Sequence, residues 1–328
     1  MIYSVLMPVY KPNEYFQSAV DSVTSQIDDQ GELIIVDDGN QIPLSEHFKN
    51  TKWPCSIKIH RLNKNSGIPK ALNEGLKICS GDIIIRMDAD DISLPSRIEK
   101  LLKYLNNNPE IGIVGSDVEV QDFNNEISIS TPHLLDDLCL KQCLIVECPL
   151  CHASIAIRKS ALITIGGYPE EYSHAEDYAM MFKLATNGIK FSNISNVLYR
   201  VRKHTRSHTY NNNILLSQFN IFRNENIDAI INDNEYRKIF FPNIFWDAPL
   251  ETTIPLTLSS AETRILYQNL LYRLGILMMK KGDHQLANSL FEMAQSIKNI
   301  NKKILFVKML NKYFPKLTVK YLLNKKLF

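Results

Sequence analysis

The segment GDIIIRMDADD, residues 81–91, brings three carboxylates, Asp88, Asp90 and Asp91, directly behind an apolar run. A buried strand that delivers three negative charges to one point needs a cation or hydrogen bonds to offset their repulsion. Magnesium or manganese is held by one or two carboxylates together with substrate phosphates, so Asp-Ala-Asp at a strand end fits a diphosphate-binding metal site, with Asp88 and Asp90 in metal and ribose contacts. Asp91, followed by ISLP, has the form of a helix N-cap, and capping needs only one carboxylate.

A second acidic strand end is ELIIVDDGN, where Asp37 and Asp38 with Gly39 also have the composition of a simple turn. Glu176 and Asp177 lie where a helical pattern begins; as plain surface charges they would stabilise its N-terminus by a few tenths to about 1 kcal/mol. Cys139, Cys143, Cys148 and Cys151 followed by His152 bring zinc to mind, but the spacing matches no compact zinc module, and reduced buried cysteines pack as small apolar residues.

The elements that must position these groups alternate regularly. Apolar runs over 2–9, 32–36 and 82–87 and the alternating 56–61 read as strands, and helical spacing covers 13–26, 69–78 and 94–106, with Pro95 suited to a first turn. Further strands are expected at 111–120 and 155–157, and a helix at 177–186 after the turn GGYP. Such alternation predicts an α/β fold with a mainly parallel, doubly wound sheet whose ligands gather at the carboxyl ends of the strands, where the acidic pairs fall. Beyond residue 211 helical spacing dominates, notably over 260–281 and 284–298, so the division expected is a catalytic domain over 1–211 and a helical extension over 212–328.

With 328 residues, 45% hydrophobic and 22% charged, the chain has the composition of a globular protein with an ample core. No run approaches the roughly 20 apolar residues of a membrane span, and the start lacks the basic and long apolar regions of a signal peptide, which predicts a cytoplasmic protein. The net charge is only +2, yet no acidic residue follows Glu292 while lysines accumulate. Over 302–328, Lys308, Lys312, Lys316 and Lys320 recur every four residues among leucines and aromatics, interrupted by Pro315. Two readings stand: a basic amphipathic element lying on an anionic membrane surface, or a helix packed on its own domain with lysines in water. No nucleic-acid-reading motif accompanies the basic stretch, so nucleic acid is not expected as a partner.

In order along residues 2–202, SVLMPVYKPNEYFQSAVDSVTSQ, ELIIVDDGN, NSGIPKALNEGL, GDIIIRMDADDISLPSRI, HASIAIRKSAL and GGYPEEYSHAEDYAMMFKLA resemble the successive motifs of family 2 glycosyltransferases with the GT-A fold. One Asp-X-Asp is common; six motifs in order are not. The resemblance implies a Rossmann-like, mainly parallel mixed sheet flanked by helices, here with a C-terminal helical extension.

It also implies roles. Pro8 and Tyr10 match the strand tip that packs the nucleotide base, and Asp38 the residue that hydrogen-bonds uracil, which suggests a UDP-sugar. Asp88 resembles the residue near the ribose, Asp90 the one that coordinates Mn2+ or Mg2+, and Asp177 the catalytic base, with Glu176 beside it. Where the family often has Tyr-Arg-X-His, this chain reads YRVRKHT. Either Arg202 contacts the diphosphate, or His204 reaches the metal, or the loop is merely solvated. The implied activity is inverting transfer of a hexose or N-acetylhexosamine to a lipid-linked or lipopolysaccharide saccharide, at the cytoplasmic face of the inner membrane. Alternatives are a protein or teichoic-acid-like acceptor, or a catalytically silent sugar-nucleotide-binding protein. A dehydrogenase is disfavoured because no Gly-X-Gly-X-X-Gly follows the first strand.

Overall fold

The computed structural model of the chain describes residues 1–49, 52–130, 136–172, 175–205, 213–242 and 261–297. Its strands are β1 Tyr3–Val9, β2 Gly31–Asp37, β3 Ser56–Arg61, β4 Ile83–Arg86, β5 Ile92–Ser93, β6 Ile111–Gln121, β7 Ile127–Ser130, β8 Ala156–Arg158 and β9 Lys190–Arg202. The helices are α1 Phe16–Thr24, α2 Leu44–His47, α3 Ile68–Ile78, α4 Arg97–Asn107, α5 Asp137–Leu144, α6 Lys159–Thr164, α7 Glu176–Thr186, α8 Asn213–Asn232, α9 Asn234–Phe240, α10 Ala261–Lys280 and α11 His284–Ser296, with a 3-10 turn at His152–Ser154.

Two compact units emerge, one from Met1–Pro132 and Leu150–Phe222, the other from His133–Pro149 and Arg223–Phe328. The segment 133–149, which carries α5, thus belongs with the later helices.

In the first unit the sheet runs β3-β2-β1-β4-β8-β6-β9-β5, with β7 on β6. The β3-β2-β1-β4 half is wholly parallel, whereas β8 is antiparallel to both β4 and β6, and β5 is antiparallel to β9, so the sheet is mixed. The central strands are apolar almost throughout because both faces are covered: Leu33, Ile34, Ile35 and Val36 of β2 and Ile84 and Ile85 of β4 are fully buried. On α1, Phe16, Ala19, Val20 and Val23 form the buried stripe; α4 buries Ile98, Leu101 and Leu105. α3 lies so close to the sheet that a Cβ on Gly75 would stand 2.3 Å from a methyl of Leu6.

Register decides where the chemistry sits. Val9 of β1 pairs with Asp37 of β2, and Leu6 with Arg86 of β4, so the carboxyl ends of β1, β2 and β4 open on the same edge of the sheet. That edge, where strand order reverses between β1 and β4, is the crevice in which open α/β sheets bind ligands.

In the second unit α10 and α11 pack through Leu271, Leu274, Leu290 and Phe291, close enough that a Cβ on Gly275 would lie 2.5 Å from the Phe291 ring. Asp283 caps α11 through the Leu286 N–H at 3.0 Å and also pairs with Arg237 of α9. Cys139 and Cys143 of α5 are buried, and burial pushes their thiols upward, the state in which cysteine packs as an apolar residue. No described helix is long and apolar enough to cross a membrane. The basic tail, 302–328, lies outside the described residues.

Candidate functional site

β4 ends on a buried arginine. Arg86, 2% exposed, sends one terminal nitrogen to the Met87 carbonyl and the other to Asp88 Oδ1 at 2.7 Å. A buried guanidinium thus neutralises the first carboxylate of the Asp-Ala-Asp-Asp run from beneath, while Asp88 itself stays 40% exposed at the crevice. Arg97, wholly buried on the first turn of α4, donates to the Arg86 carbonyl at 2.6 Å and the Ala153 carbonyl at 2.9 Å, and lies 4.7 Å from the Tyr199 ring centroid. Burial drags its guanidinium down to about 10.

Carboxylate oxygens of Asp88, Asp90 and Asp91 come within 4.8 Å of one another, the only group of its kind among the described residues. Burial and the Asp88 charge hold Asp90 above the usual carboxylate range, with His204 opposing. The three acids are nonetheless unequal. Asp91 is 4% exposed and its Oδ1 accepts the backbone N–H of Arg202 at 2.9 Å; burial raises its carboxyl, with that N–H and the nearby Tyr199 hydroxyl opposing. Tyr199 in turn accepts the Asp88 N–H at 3.0 Å. The N-cap expected of Asp91 is therefore corrected: β5 intervenes, α4 starts at Arg97 behind a left-handed Ser96, and Pro95 precedes that helix. Asp91 fastens β9 instead.

Asp90 faces outward, 33% exposed, and meets His204 Nε2 at 2.9 Å. Arg202 turns elsewhere: all three of its nitrogens are engaged, Nε by the Asp90 carbonyl, Nη1 by Ser18 Oγ at 2.8 Å, and Nη2 by the carbonyls of Asp91 at 3.0 Å and Tyr15 at 3.1 Å. Its guanidinium also lies 4.5 Å from the Tyr15 ring centroid. Of the alternatives for YRVRKH, the geometry brings His204 to Asp90 and makes Arg202 a clamp between the acidic loop and α1. Carboxylates of Asp88 and Asp90 with an imidazole beside them form a donor set of hard oxygens and one nitrogen that suits Mg2+ or Mn2+.

At the end of β2 the two aspartates divide. Asp37 organises the turn by accepting the N–H of Asn40 at 2.9 Å and of Leu44 at 2.9 Å. Gly39 is required there, with φ +68° and a Cβ position 2.3 Å from the Lys64 backbone. Asp38 accepts Ser66 N–H at 2.7 Å, Gly67 N–H at 3.0 Å and Asn65 Nδ2 at 2.8 Å, which explains the Asn-Ser-Gly ahead of α3. Burial raises its carboxyl against those bonds. Pro8 is half-buried on β1, and Tyr10 is exposed just beyond it on the same edge.

Glu176 and Asp177 open α7. Burial, reinforced by Asp177, pushes Glu176 up to about 8, and burial raises Asp177 as well. The charges of Arg86 and Asp88 act on both, so the α7 acids and the end of β4 share one electrostatic environment within the first unit. Under the crevice, burial and Arg86 hold His152 well below its ordinary range, and burial raises Cys151 to about 12.

Arg86, Arg97, Tyr199 and Tyr168 were not singled out from sequence, and His152 was noted only beside the cysteines. An arginine inside the apolar run IIIRM is a visible signal, since a buried cation demands a partner. The others carry none, because their partners lie far off in the chain.

The region over residues 4–166 matches the model of glycosyl transferase family 2. The chain is 32% identical over 209 residues to the amylovoran biosynthesis glycosyltransferase AmsE of Erwinia amylovora, covering 61% of this chain and 76% of that protein. It is 34% identical over 206 residues to the UDP-Gal:alpha-D-GlcNAc-diphosphoundecaprenol beta-1,3-galactosyltransferase of Escherichia coli, covering 61% and 74%. Its fold resembles that of the mannosyltransferase PcManGT from Pyrobaculum calidifontis, solved with GDP-Man and Mn2+, at a TM-score of 0.57, 16% identity, and coverage of 98% and 84%. A mixed sheet with its acids at the β1/β4 switch point, six ordered motifs and relatives of this extent lead to one conclusion: the chain belongs to glycosyl transferase family 2 and is a glycosyltransferase of the GT-A fold.

Proposed function

We propose that this enzyme transfers a hexose or N-acetylhexosamine from a UDP-sugar, with a divalent cation at Asp88 and Asp90, to a hydroxyl of a lipid-linked saccharide, inverting the anomeric centre. The observation that carries the reading is the electrostatic union of two acidic groups from distant parts of the sequence, Asp88 with its Arg86 counter-ion and the Glu176–Asp177 pair. Asp38 supports the uracil contact by arithmetic: a carboxylate accepts about four hydrogen bonds, and three are taken. The remaining position suits a single imide N–H. A relative that acts on a diphosphoundecaprenol-linked sugar and the basic tail both favour a lipid-borne acceptor beside an anionic membrane.

At neutral pH the raised Glu176 keeps the proton of its pair, which leaves the charge on Asp177. Asp177 then accepts the proton of the acceptor hydroxyl as that oxygen attacks the anomeric carbon. Asp90, steadied by His204, and Asp88, steadied by Arg86, are the residues that would hold the cation. Once bound, the cation stabilises negative charge on the departing diphosphate.

The test incubates the full chain with UDP-glucose, UDP-galactose or UDP-N-acetylglucosamine, Mn2+ and a synthetic polyprenyl-diphosphate-linked N-acetylhexosamine. The expected product is β-linked by NMR coupling and disappears with EDTA. Asp177→Asn should lower turnover by about 10²–10⁴ while UDP binding is kept. An α-linked product, or turnover undiminished in Asp177→Asn, would falsify the mechanism.

A further inference from the structure

Three buried side-chain atoms near the end of β4 have no hydrogen-bond partner among the described residues: Arg86 Nε, His152 Nε2 and Tyr168 Oη. Native interiors pair such groups, so three orphans in one neighbourhood point to something that visits them. They share that neighbourhood, since the rings of His152 and Tyr168 have centroids 5.5 Å apart and the Arg86 charge acts on both. Glu176 acts on Tyr168, which links the cluster to the α7 acids.

We propose that Arg86 Nε, His152 Nε2 and Tyr168 Oη seat one hydroxyl group of the transferred sugar, an inference that rests on the sugar-nucleotide reading above. The donors and acceptors match. A hydroxyl offers one proton and two lone pairs; Arg86 Nε–H can only donate, neutral His152 can accept at Nε2, and the Tyr168 hydroxyl supplies the second donor. Neutrality of His152 follows from its burial beside a guanidinium.

The seat is rigid. The Asn73 side chain clamps the backbone of Tyr168 from both sides, donating to its carbonyl at 2.8 Å and accepting its N–H at 2.8 Å. The preceding Gly167 has φ +89°, and a Cβ there would strike Asn73 Oδ1 at 2.6 Å. Arg86 is fixed by Asp88 and the Met87 carbonyl through its two terminal nitrogens, and Nε is the guanidinium nitrogen left without a partner among the described residues. His152 sits in the 3-10 turn whose Ala153 carbonyl is held by Arg97, and while Nε2 is covered, the residue keeps part of its surface open. Such preorganisation suits selection among hydroxyl configurations, because a misplaced hydroxyl leaves buried polar groups unpaired.

The experiment is calorimetric titration of the full chain with UDP, UDP-glucose, UDP-galactose and UDP-N-acetylglucosamine in Mn2+ buffer, using the parent, Tyr168→Phe and His152→Phe. For the sugar nucleotide that the parent binds most tightly, either variant should weaken binding by about 3- to 10-fold, while UDP itself stays within about twofold. Monodeoxy analogues of that donor locate the hydroxyl: one of them should bind the parent and Tyr168→Phe equally. The subsite is overturned if UDP and UDP-sugar weaken together, if neither weakens, or if Tyr168→Phe penalises every analogue alike. Should the parent bind none of these nucleotides, the donor reading itself fails, and the subsite with it.

Discussion

Replacing Arg202 by alanine separates two roles for a cation at this position, clamp or diphosphate contact. The side chain makes four hydrogen bonds, to Ser18 Oγ and to the carbonyls of Tyr15, Asp90 and Asp91, and lies over the Tyr15 ring. Arg202 is only half-buried, so each bond is discounted to roughly 0.5–1 kcal/mol, and the four together make the loss on removal about 2–4 kcal/mol before any ring contact is counted. For a unit of this size that corresponds to a fall in Tm of roughly 5–15 °C. Thermal melting of the full chain reads it directly. UDP affinity is measured in parallel without metal, because release of the loop also displaces Asp90 and would lower Mn2+ affinity secondarily. A clamp predicts a large Tm loss with metal-free UDP binding nearly unchanged, and only partial recovery in Arg202→Lys, since an ammonium cannot reach the same carbonyls with a planar fork. An unchanged Tm with UDP binding weakened more than about tenfold would refute the clamp.

Glu176→Gln addresses the α7 pair. Its carboxyl is raised from 4.5 to about 8, so the folded chain binds a proton that the unfolded chain releases; its contribution is complete below pH 4.5 and is lost as pH climbs to 8. The parent should lose stability across that window by up to about 1.4 kcal/mol per pH unit, and the glutamine variant should run flatter; parallel declines would contradict the assignment. Asp38→Ala leaves two backbone N–H groups and Asn65 unpaired, at about 2–4 kcal/mol in urea denaturation, and a cost below about 0.5 kcal/mol would show that the loop does not depend on it. Asp90→Ala and Asp91→Ala should behave oppositely: the first loses Mn2+ binding with Tm kept, the second loses about 1–3 kcal/mol because the Arg202 N–H is stranded. Equal effects on both readouts would contradict the division.

Most of the frame was legible because of how deeply it is buried. β1, β2 and β4 read as unbroken apolar runs since neither face meets water, and α1, α3 and α4 each keep a clean apolar stripe. What escaped is short or irregular. β5 has two residues, α2 four and α6 six, too few for a period to show. β9 is long, but its register on β6 shifts between Ser116 and Asp117 and again before Val118, and the alternation of its side chains breaks with it. The acidic strand ends were visible, whereas the division of labour within them was not. Whether Asp38 faces a ligand or a loop depends on where Ser66 lies, 28 residues away, and the task of Asp91 depends on Arg202, 111 residues on.

That division bears on how a cluster of like charges survives before any cation arrives. Three carboxylates within 4.8 Å would be untenable if all were alike. Asp88 has a buried guanidinium against it, and a second guanidinium, Arg97, holds the strand that carries the first. Asp91 is sealed from water, and its raised titration is opposed by the Arg202 N–H and the Tyr199 hydroxyl, so its electrostatic strain is absorbed within the fold. Only Asp90 combines exposure with an imidazole partner, His204. The cluster therefore has one carboxylate neutralised from below, one spent on holding β9, and one facing outward, an asymmetry that under the proposed function would steer an incoming ion toward Asp90 and the open side of Asp88. The same Arg86 reaches the α7 acids and the His152–Tyr168 pair, so a single buried charge at the end of β4 acts on the strand-end acids, the Glu176–Asp177 pair and the proposed sugar seat.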